Sequence, residues 1–178
     1  MSEDIASGIY LLVAGIGLCT TAAKVWAWRR ERSSALLLIA VSSTVGAGAF
    51  LLASPVVYRS IAALTGSQNL SELLVFFCIL GFFVLTHVMS LLWHRHGERR
   101  SARSILLRPL VIYAIAAAGM VTGFLVAGLE DAPHPLDFNA TYGQDPGALV
   151  MLGSFQSALA YAHRCPRQSD FAAAPCPR

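Results

Sequence analysis

Charged residues are scarce in this chain of 178 residues, where Asp, Glu, Lys and Arg together make up 13%. The usual share in soluble domains is about a quarter. Hydrophobic residues make up 56%, and the mean hydropathy is +0.60. A water-soluble domain of this length cannot bury so much apolar surface in one core. The composition therefore excludes an ordinary soluble protein and predicts an all-α integral membrane protein.

Motifs for catalysis and for cofactor binding are also missing. The sequence has no H-E-x-x-H, G-x-S-x-G, P-loop or G-x-G-x-x-G pattern. The four cysteines lack the C-x-x-C spacing typical of metal ligands. A net charge of +3 gives little support for binding to nucleic acid. We predict no enzyme, no cofactor, no metal site and no nucleic-acid partner.

Lysine is nearly absent, since only one of the 13 basic residues is a lysine. Arginine and alanine have G/C-rich codons, so this composition suggests a bacterial gene of high G+C content. The arginines matter more through their positions between the apolar segments.

Long apolar segments are abundant. A helix that crosses a bilayer needs about 20 apolar residues. Four segments of this kind lack charged residues, and a fifth is shorter. The sequence predicts a transmembrane helical domain over residues 1–163, with an irregular tail at 164–178 and spans at 5–23, 35–53, 73–93, 110–129 and 148–162.

Basic residues alternate between the connections. The connections 24–34 and 94–109 and the tail together contain 12 of the 13, and Arg59 is the exception. By the positive-inside rule these segments are cytoplasmic. We predict a multi-pass protein of the cell membrane with its N-terminus outside and its C-terminus in the cytoplasm. The arginine loops could also attract anionic lipid head groups of the bilayer.

Small residues indicate how the spans could pack. Gly119, Gly123 and Ala127 recur every four residues, and Gly46 follows Ser42 at the same interval. Such patterns allow close contact between helix backbones in lipid. Packing within the chain is the favoured interpretation, and a seam with another helix or in a homodimer is the alternative.

His87 is the one ionisable side chain well inside a predicted full-length span. Thr86 and Ser90 are nearby in the sequence, and His94 follows seven residues after His87. Ionisable residues within membranes are candidates for function. However, a neutral imidazole is tolerated when it is hydrogen-bonded, and no predicted span contains a carboxylate. A packing role is therefore favoured over proton or ligand handling.

The acidic connection 130–147 is predicted to lie outside, as a solvated loop or, alternatively, as a cation-binding one. Its residues Phe138, Tyr142 and Pro146, with the following helix and the basic segment "WHRHGERRSAR", resemble a family of bacterial multi-spanning membrane proteins. Members are described as transporters or as membrane-embedded regulatory proteins. The resemblance implies further spans and a soluble cytoplasmic domain, which this chain lacks. The abrupt change into "CPRQSDFAAAPCPR" suggests a frameshift or an early stop.

Two functions remain open from the sequence. The first is a non-catalytic scaffold or sensory and regulatory membrane module. The alternative is a component of a transporter, in which His87 and the polar residues Ser42, Ser43 and Thr44 line a path.

Overall fold

The computed structural model describes residues 3–67, 69–94, 102–127 and 142–169. Within these ranges the chain is all-helical, which confirms the predicted fold class. The helices, numbered in chain order, are α1 Glu3–Glu31, α2 Ser34–Ala53, α3 Pro55–Thr65, α4 Leu70–His94, α5 Ala102–Ala127 and α6 Pro146–Ser169.

Four of these helices are long and apolar enough to cross a membrane, namely over Asp4–Glu31, Ser34–Ala53, Leu70–Leu91 and Pro109–Ala127. They correspond to the four predicted full spans. The helix α6 has a shorter apolar stretch, but it continues to Ser169, six residues past the predicted boundary at 163.

Several helix boundaries differ from the prediction: α1 runs on to Glu31, α5 begins already at Ala102, and two further differences lie around α3 and α4. The connection 54–72, expected as a loop, contains the 11-residue helix α3. The helix α4 begins at Leu70 and therefore includes Glu72 in its first turn. The third span was predicted to start at 73 and to contain no carboxylate, but the span in the structure contains one.

Local chemistry explains the boundaries around α3. Pro55 disfavours helical geometry at the residue before it, and Ser54 has an extended backbone that ends α2. Pro55 then occupies the first turn of α3, where no backbone N–H is needed. Gly66 ends α3 at φ +73°, a left-handed conformation that glycine adopts without strain.

The helix α1 packs on α2, and α2 packs on α4. The helices α5 and α6 form a close pair, and α4 contacts both of them. Small residues make these contacts tight. A Cβ built at Gly17 of α1 would lie 2.8 Å from Cβ of Ala47, and one at Gly81 of α4 would lie 3.4 Å from Val45.

The pair α5–α6 is the tightest seam. A Cβ on Gly123 would lie 2.6 Å from the carbonyl oxygen of Gly147 and 2.6 Å from the backbone nitrogen of Met151. Gly119 meets Ser154, and Gly147 meets the backbone of Ala127. The small residues of α5 therefore pack within the chain, as favoured from the sequence. Use of the same face in a homodimer stays a prediction.

Apolar side chains also cover the outside of the bundle. Ile9, Leu12 and Ile16 on α1 are more than half exposed, as are Ile115 and Leu125 on α5. The exposed apolar faces suit a lipid environment, where packing does not require such residues to be buried.

Candidate functional site

His87 lies in the second half of α4 and faces α5 and α6. Its side chain is 6% exposed, and its Nδ1 is 2.8 Å from the hydroxyl oxygen of Tyr113 on α5. Either group can donate in this hydrogen bond, because the neutral imidazole has two tautomers. The bond satisfies one ring nitrogen and links two helices.

Aromatic rings surround His87. The centroid of its ring is 5.9 Å from that of Tyr113 and 5.7 Å from that of Tyr161 on α6, and the two tyrosine rings are 5.9 Å apart. Such distances are typical of favourable aromatic contacts. We call His87, Tyr113 and Tyr161 the inner cluster. It brings together one residue from each of the helices α4, α5 and α6.

The second nitrogen of His87 is not satisfied in the same way. Nε2 is buried and has no hydrogen-bond partner among the residues that the structure describes. Most buried polar atoms in proteins have at least one partner, so an exception calls for an explanation. The hydroxyl oxygens of Ser42 and Ser54 are in the same state, so His87 is one of several such sites among the described residues.

A cleft of about 110 Å³ adjoins His87. Its lining includes Thr86 and Ser90 on α4 and His163 on α6, with Phe83 and Ala162 as apolar walls. The Thr86 hydroxyl donates to the backbone carbonyls of Phe82 and Phe83, each at 3.0 Å. The structure therefore brings the three predicted polar residues Thr86, His87 and Ser90 to one cleft.

The outer-loop candidates lie elsewhere. Phe138 lies outside the described residues. Tyr142 is buried in the core of α4, α5 and α6, and Pro146 is the first residue of α6. Asp145 caps this helix, since its Oδ1 accepts from the backbone N–H of Ala148 at 2.9 Å. Tyr142 and Pro146 are thus explained by packing and helix initiation, and they do not line the cleft at His87.

Other predicted features are not described by the structure. The side chain of His94, the segment 95–101 and residues 128–141, which include most of the acidic connection 130–147, lie outside the described residues. Among the residues that are described, no group of three or more potential metal ligands comes together.

A second polar cluster was missed by sequence reasoning. It lies where α2, α3 and α4 meet, and we call it the outer cluster: Ser54, Tyr58, Asn69 and Ser71, all with 1% exposure or less. The Tyr58 hydroxyl donates to Oδ1 of Asn69 at 2.7 Å. Ser71 donates to the carbonyl of Leu52 at 2.8 Å. Burial, and secondarily the charge of Glu72, raises the pKa of Tyr58 above its usual value.

An apolar layer lies in the middle of the contact between α4, α5 and α6, between the inner cluster and the end of α4 at which the outer cluster lies. It consists of Phe76, Leu80, Met120, Met151 and Phe155, each 8% exposed or less. The rings of Phe76 and Phe155 meet edge to face at 4.8 Å between centroids. Met120 and Met151 are completely buried. None of these five side chains is polar, and Ser154 lies beside them on the α5–α6 seam, where it faces Gly119.

Sequence reasoning also did not identify Tyr113 and Tyr161 as the residues that contact His87. Tyr113 is the one tyrosine in the predicted span 110–129, and Tyr161 is the one in 148–162. A buried histidine needs a hydrogen-bonding partner, and the hydroxyl of a tyrosine on a neighbouring span can provide it. That requirement was the available signal, although it does not show which tyrosine is within reach.

Comparisons with models of known families, with curated proteins and with solved structures find no match for this chain. The functional interpretation therefore rests on the chemistry of the residues at the site. A buried imidazole with a tyrosine partner can exchange tautomers, accept a proton and bind a small polar group.

Proposed function

We propose that the protein is a non-catalytic regulatory module of the cell membrane, whose helix arrangement responds to the state of His87. The observation that carries the proposal is the inner cluster. One imidazole joins α4 to α5 by a hydrogen bond and contacts α6 through its ring, while its second nitrogen has no partner among the described residues.

Protonation gives His87 a direct effect on this junction. The imidazolium would have N–H groups at both ring nitrogens, and the described surroundings offer no acceptor at Nε2. An unpaired charge in apolar surroundings is costly. The cost is relieved when water or a ligand reaches the ring, which requires α4 to move relative to α5 and α6.

Orientation places the site toward one compartment. With the basic connections in the cytoplasm, the cleft at His87 lies in the cytoplasmic half of the bundle and the outer cluster lies in the other half. The arginines of 94–109 would then lie near anionic lipid head groups. This orientation is part of the proposal.

A transporter component is the alternative function. Two observations weigh against it. The polar residues of α2 do not contribute to the cleft as described, and the Thr44 hydroxyl faces α1, where it lies 3.3 Å from that of Thr21. The described core between the two ends of the α4–α5–α6 contact is also made mainly of apolar side chains, those of Phe76, Leu80, Met120, Met151 and Phe155.

The experiment measures the distance between α2 and α5 in nanodiscs. Spin labels are attached at Leu37→Cys and Leu107→Cys, two exposed positions, after all four native cysteines are replaced. We expect the distance distribution to shift between about pH 8 and about pH 5, the range in which histidine changes charge.

His87→Gln is the matched variant, because glutamine can still hydrogen-bond to Tyr113 but does not titrate. We expect its distance distribution to be the same at both pH values. A shift that persists in His87→Gln, or no shift in the parent chain, would refute the proposed role of His87.

A further inference from the structure

The outward face of α6 carries a polar side chain, that of Gln156, at a depth where lipid offers it no partner. We propose that this face binds a second copy of the chain, so that two copies of α6 lie side by side and their Gln156 amides hydrogen-bond to each other. The proposal goes beyond the proposed function, because it rests on residues of α6 that do not belong to the inner cluster.

The packing of α6 on α5 places Gln156 deep in the bilayer. Ser154 lies against Gly119 of α5. Further along, the ring centroids of Tyr161 and Tyr113 are 5.9 Å apart. Gln156 lies between these two contacts along α6, and therefore at the level of the central part of the apolar span of α5. Polar groups at such a depth have no water to bond with and usually face another helix.

Gln156 belongs to the exposed face of α6. Gly153, Ser157 and Ala160 are exposed on the same face, and a Cβ built at Gly153 would meet nothing within 4 Å. None of the four apolar spans contains an asparagine or a glutamine. Among the residues that the structure describes, no hydrogen bond of the Gln156 side chain is found. The amide is therefore open to a partner outside the described chain.

Two outward-facing threonines show how a hydroxyl is satisfied without a second helix. Thr20 on α1 donates to the carbonyl of Ile16 at 2.9 Å. Thr122 on α5 donates to the carbonyl of Ala118, also at 2.9 Å. A hydroxyl can bond in this way to the preceding turn of its own helix. The carboxamide of Gln156 has two N–H donors and a carbonyl acceptor, and side chains of this kind form hydrogen bonds between helices in membranes.

A second copy of the chain suits the amide better than another occupant. Two copies that insert with the same orientation can be related by a two-fold axis along the membrane normal, which brings each residue of α6 to the depth of its own counterpart. Gln156 then meets Gln156, and each amide can donate to the carbonyl of the other. An unrelated helix would need a polar group at the same depth, and lipid chains have none.

Small side chains allow the two copies of α6 to come close. Gly153, Gln156 and Ala160 recur at intervals of three and four residues, the spacing of a seam between two helices. Gly153 and Ala160 lie about one turn on either side of the amide, so nothing bulky holds the helices apart. The contact of Gly123 with Gly147 is already made within the chain, and a dimer through the outward face leaves it intact.

The test measures dimerisation of the full chain in phosphatidylcholine vesicles. Copies labelled at the N-terminus with a donor or an acceptor fluorophore are mixed, and energy transfer is followed as lipid is added. We expect energy transfer that falls on dilution with lipid, as mass action requires. Gln156→Leu should weaken the dimer by about fivefold or more, whereas Gln156→Asn, which keeps an amide, should retain most of the association.

Thr122→Val is the matched control, because it removes a hydroxyl from an outward face of α5 where that hydroxyl is already bonded. It should dimerise like the parent chain. Gly153→Val separates association from folding. It should weaken the dimer in vesicles but change thermal unfolding little in a large excess of detergent micelles, where the copies are separated.

Cross-linking locates the contact. Ala160→Cys on α6 and Leu125→Cys on α5 are made separately at exposed positions, after all four native cysteines are replaced. Both are treated in the same vesicles with a short bifunctional thiol reagent. We expect Ala160→Cys to yield cross-linked dimers and Leu125→Cys to remain uncross-linked.

Three results would overturn the proposal. These are a parent chain that stays monomeric at high protein content, a Gln156→Leu variant that dimerises like the parent, and cross-linking through Leu125→Cys but not through Ala160→Cys. In the first case another protein or lipid covers the outward face of α6. None of these results bears on the pH-dependent distance between α2 and α5, which tests the role of His87 separately.

Discussion

His87 is bonded at one ring nitrogen, and its other nitrogen has no partner among the described residues. Replacing His87 alone by an apolar side chain would remove the buried partner of the Tyr113 hydroxyl, which costs stability whatever the function. What an apolar residue could not supply is a group that can change charge near neutral pH, and the proposed regulatory role depends on that property.

Tyr58 on α3 belongs to the outer cluster, which lies near the first turn of α4. Unlike Nε2 of His87, its hydroxyl has a hydrogen-bond partner. It is fully buried and donates to Asn69. We expect Tyr58→Phe to lower the free energy of unfolding by about 1–3 kcal/mol, because the amide oxygen of Asn69 loses a buried donor. Thermal unfolding in detergent micelles, followed by circular dichroism, measures the change.

Tyr10→Phe is the control for this variant. Tyr10 lies half-buried on α1 and contacts Phe50 through its ring, with centroids 6.4 Å apart. Removing its hydroxyl should leave the unfolding transition nearly unchanged. If both variants unfold alike, the hydrogen bond from Tyr58 to Asn69 does not stabilise the outer cluster.

Sequence reasoning located His87, Thr86 and Ser90 but not their surroundings. Their position in a span followed from hydropathy alone, which is a local property. Tyr113 and Tyr161 lie on other helices, and which faces meet depends on packing that spacing within one span cannot determine. The favoured packing role of His87 stays a prediction; the spacing gave no sign of the buried Nε2 without a described partner.

At the scale of elements, the seam between α5 and α6 sets the geometry of the site. It orients Tyr113 and Tyr161 on the two helices, both against His87. The seam depends on backbone contact at Gly123 and Gly147, where no side chain fits. Close approach of this kind is what small residues provide in lipid.

Gly123→Val tests the seam. Its side chain would collide with the backbone of Gly147 and Met151, which cannot move aside as a flexible side chain can. We expect destabilisation of about 1–3 kcal/mol or more, measured by thermal unfolding in micelles. Gly153→Val on α6 is the control, since a Cβ there meets nothing within 4 Å. It should change stability by no more than about 1 kcal/mol. Equal effects would contradict a tight seam.

The same elements show why some boundaries were missed. The four long helices were predictable because a run of about 20 apolar residues has few stable structures in a membrane other than a spanning helix. The helix α3 has only 11 residues and carries Arg59, so hydropathy gives no signal for it. Its burial depends on Tyr58 and Ala62 packing under neighbouring helices. The proline and glycine at its ends were the local evidence for a helix there.

At the scale of the whole molecule, α1 packs on α2, α2 packs on α4, and α4 contacts both members of the pair α5–α6. Polar side chains lie at the two ends, in the outer and inner clusters, and the apolar layer lies between them. Hydrophobic constrictions can block water, so the layer supports the proposal of a regulatory module over that of a transporter component.

The proposed module has a cleft at His87 that opens to the cytoplasm and an apolar layer that closes it from the other side, and cysteine accessibility tests both features most directly. Ser90→Cys and Met120→Cys are made one at a time, with the native cysteines replaced, and treated in oriented vesicles with a water-soluble thiol reagent. Ser90 lines the cleft, and Met120 is fully buried in the apolar layer. We expect Ser90→Cys to react from the cytoplasmic side only and Met120→Cys to react from neither side. Reaction of Met120→Cys would reveal a water path through the layer and favour a transporter.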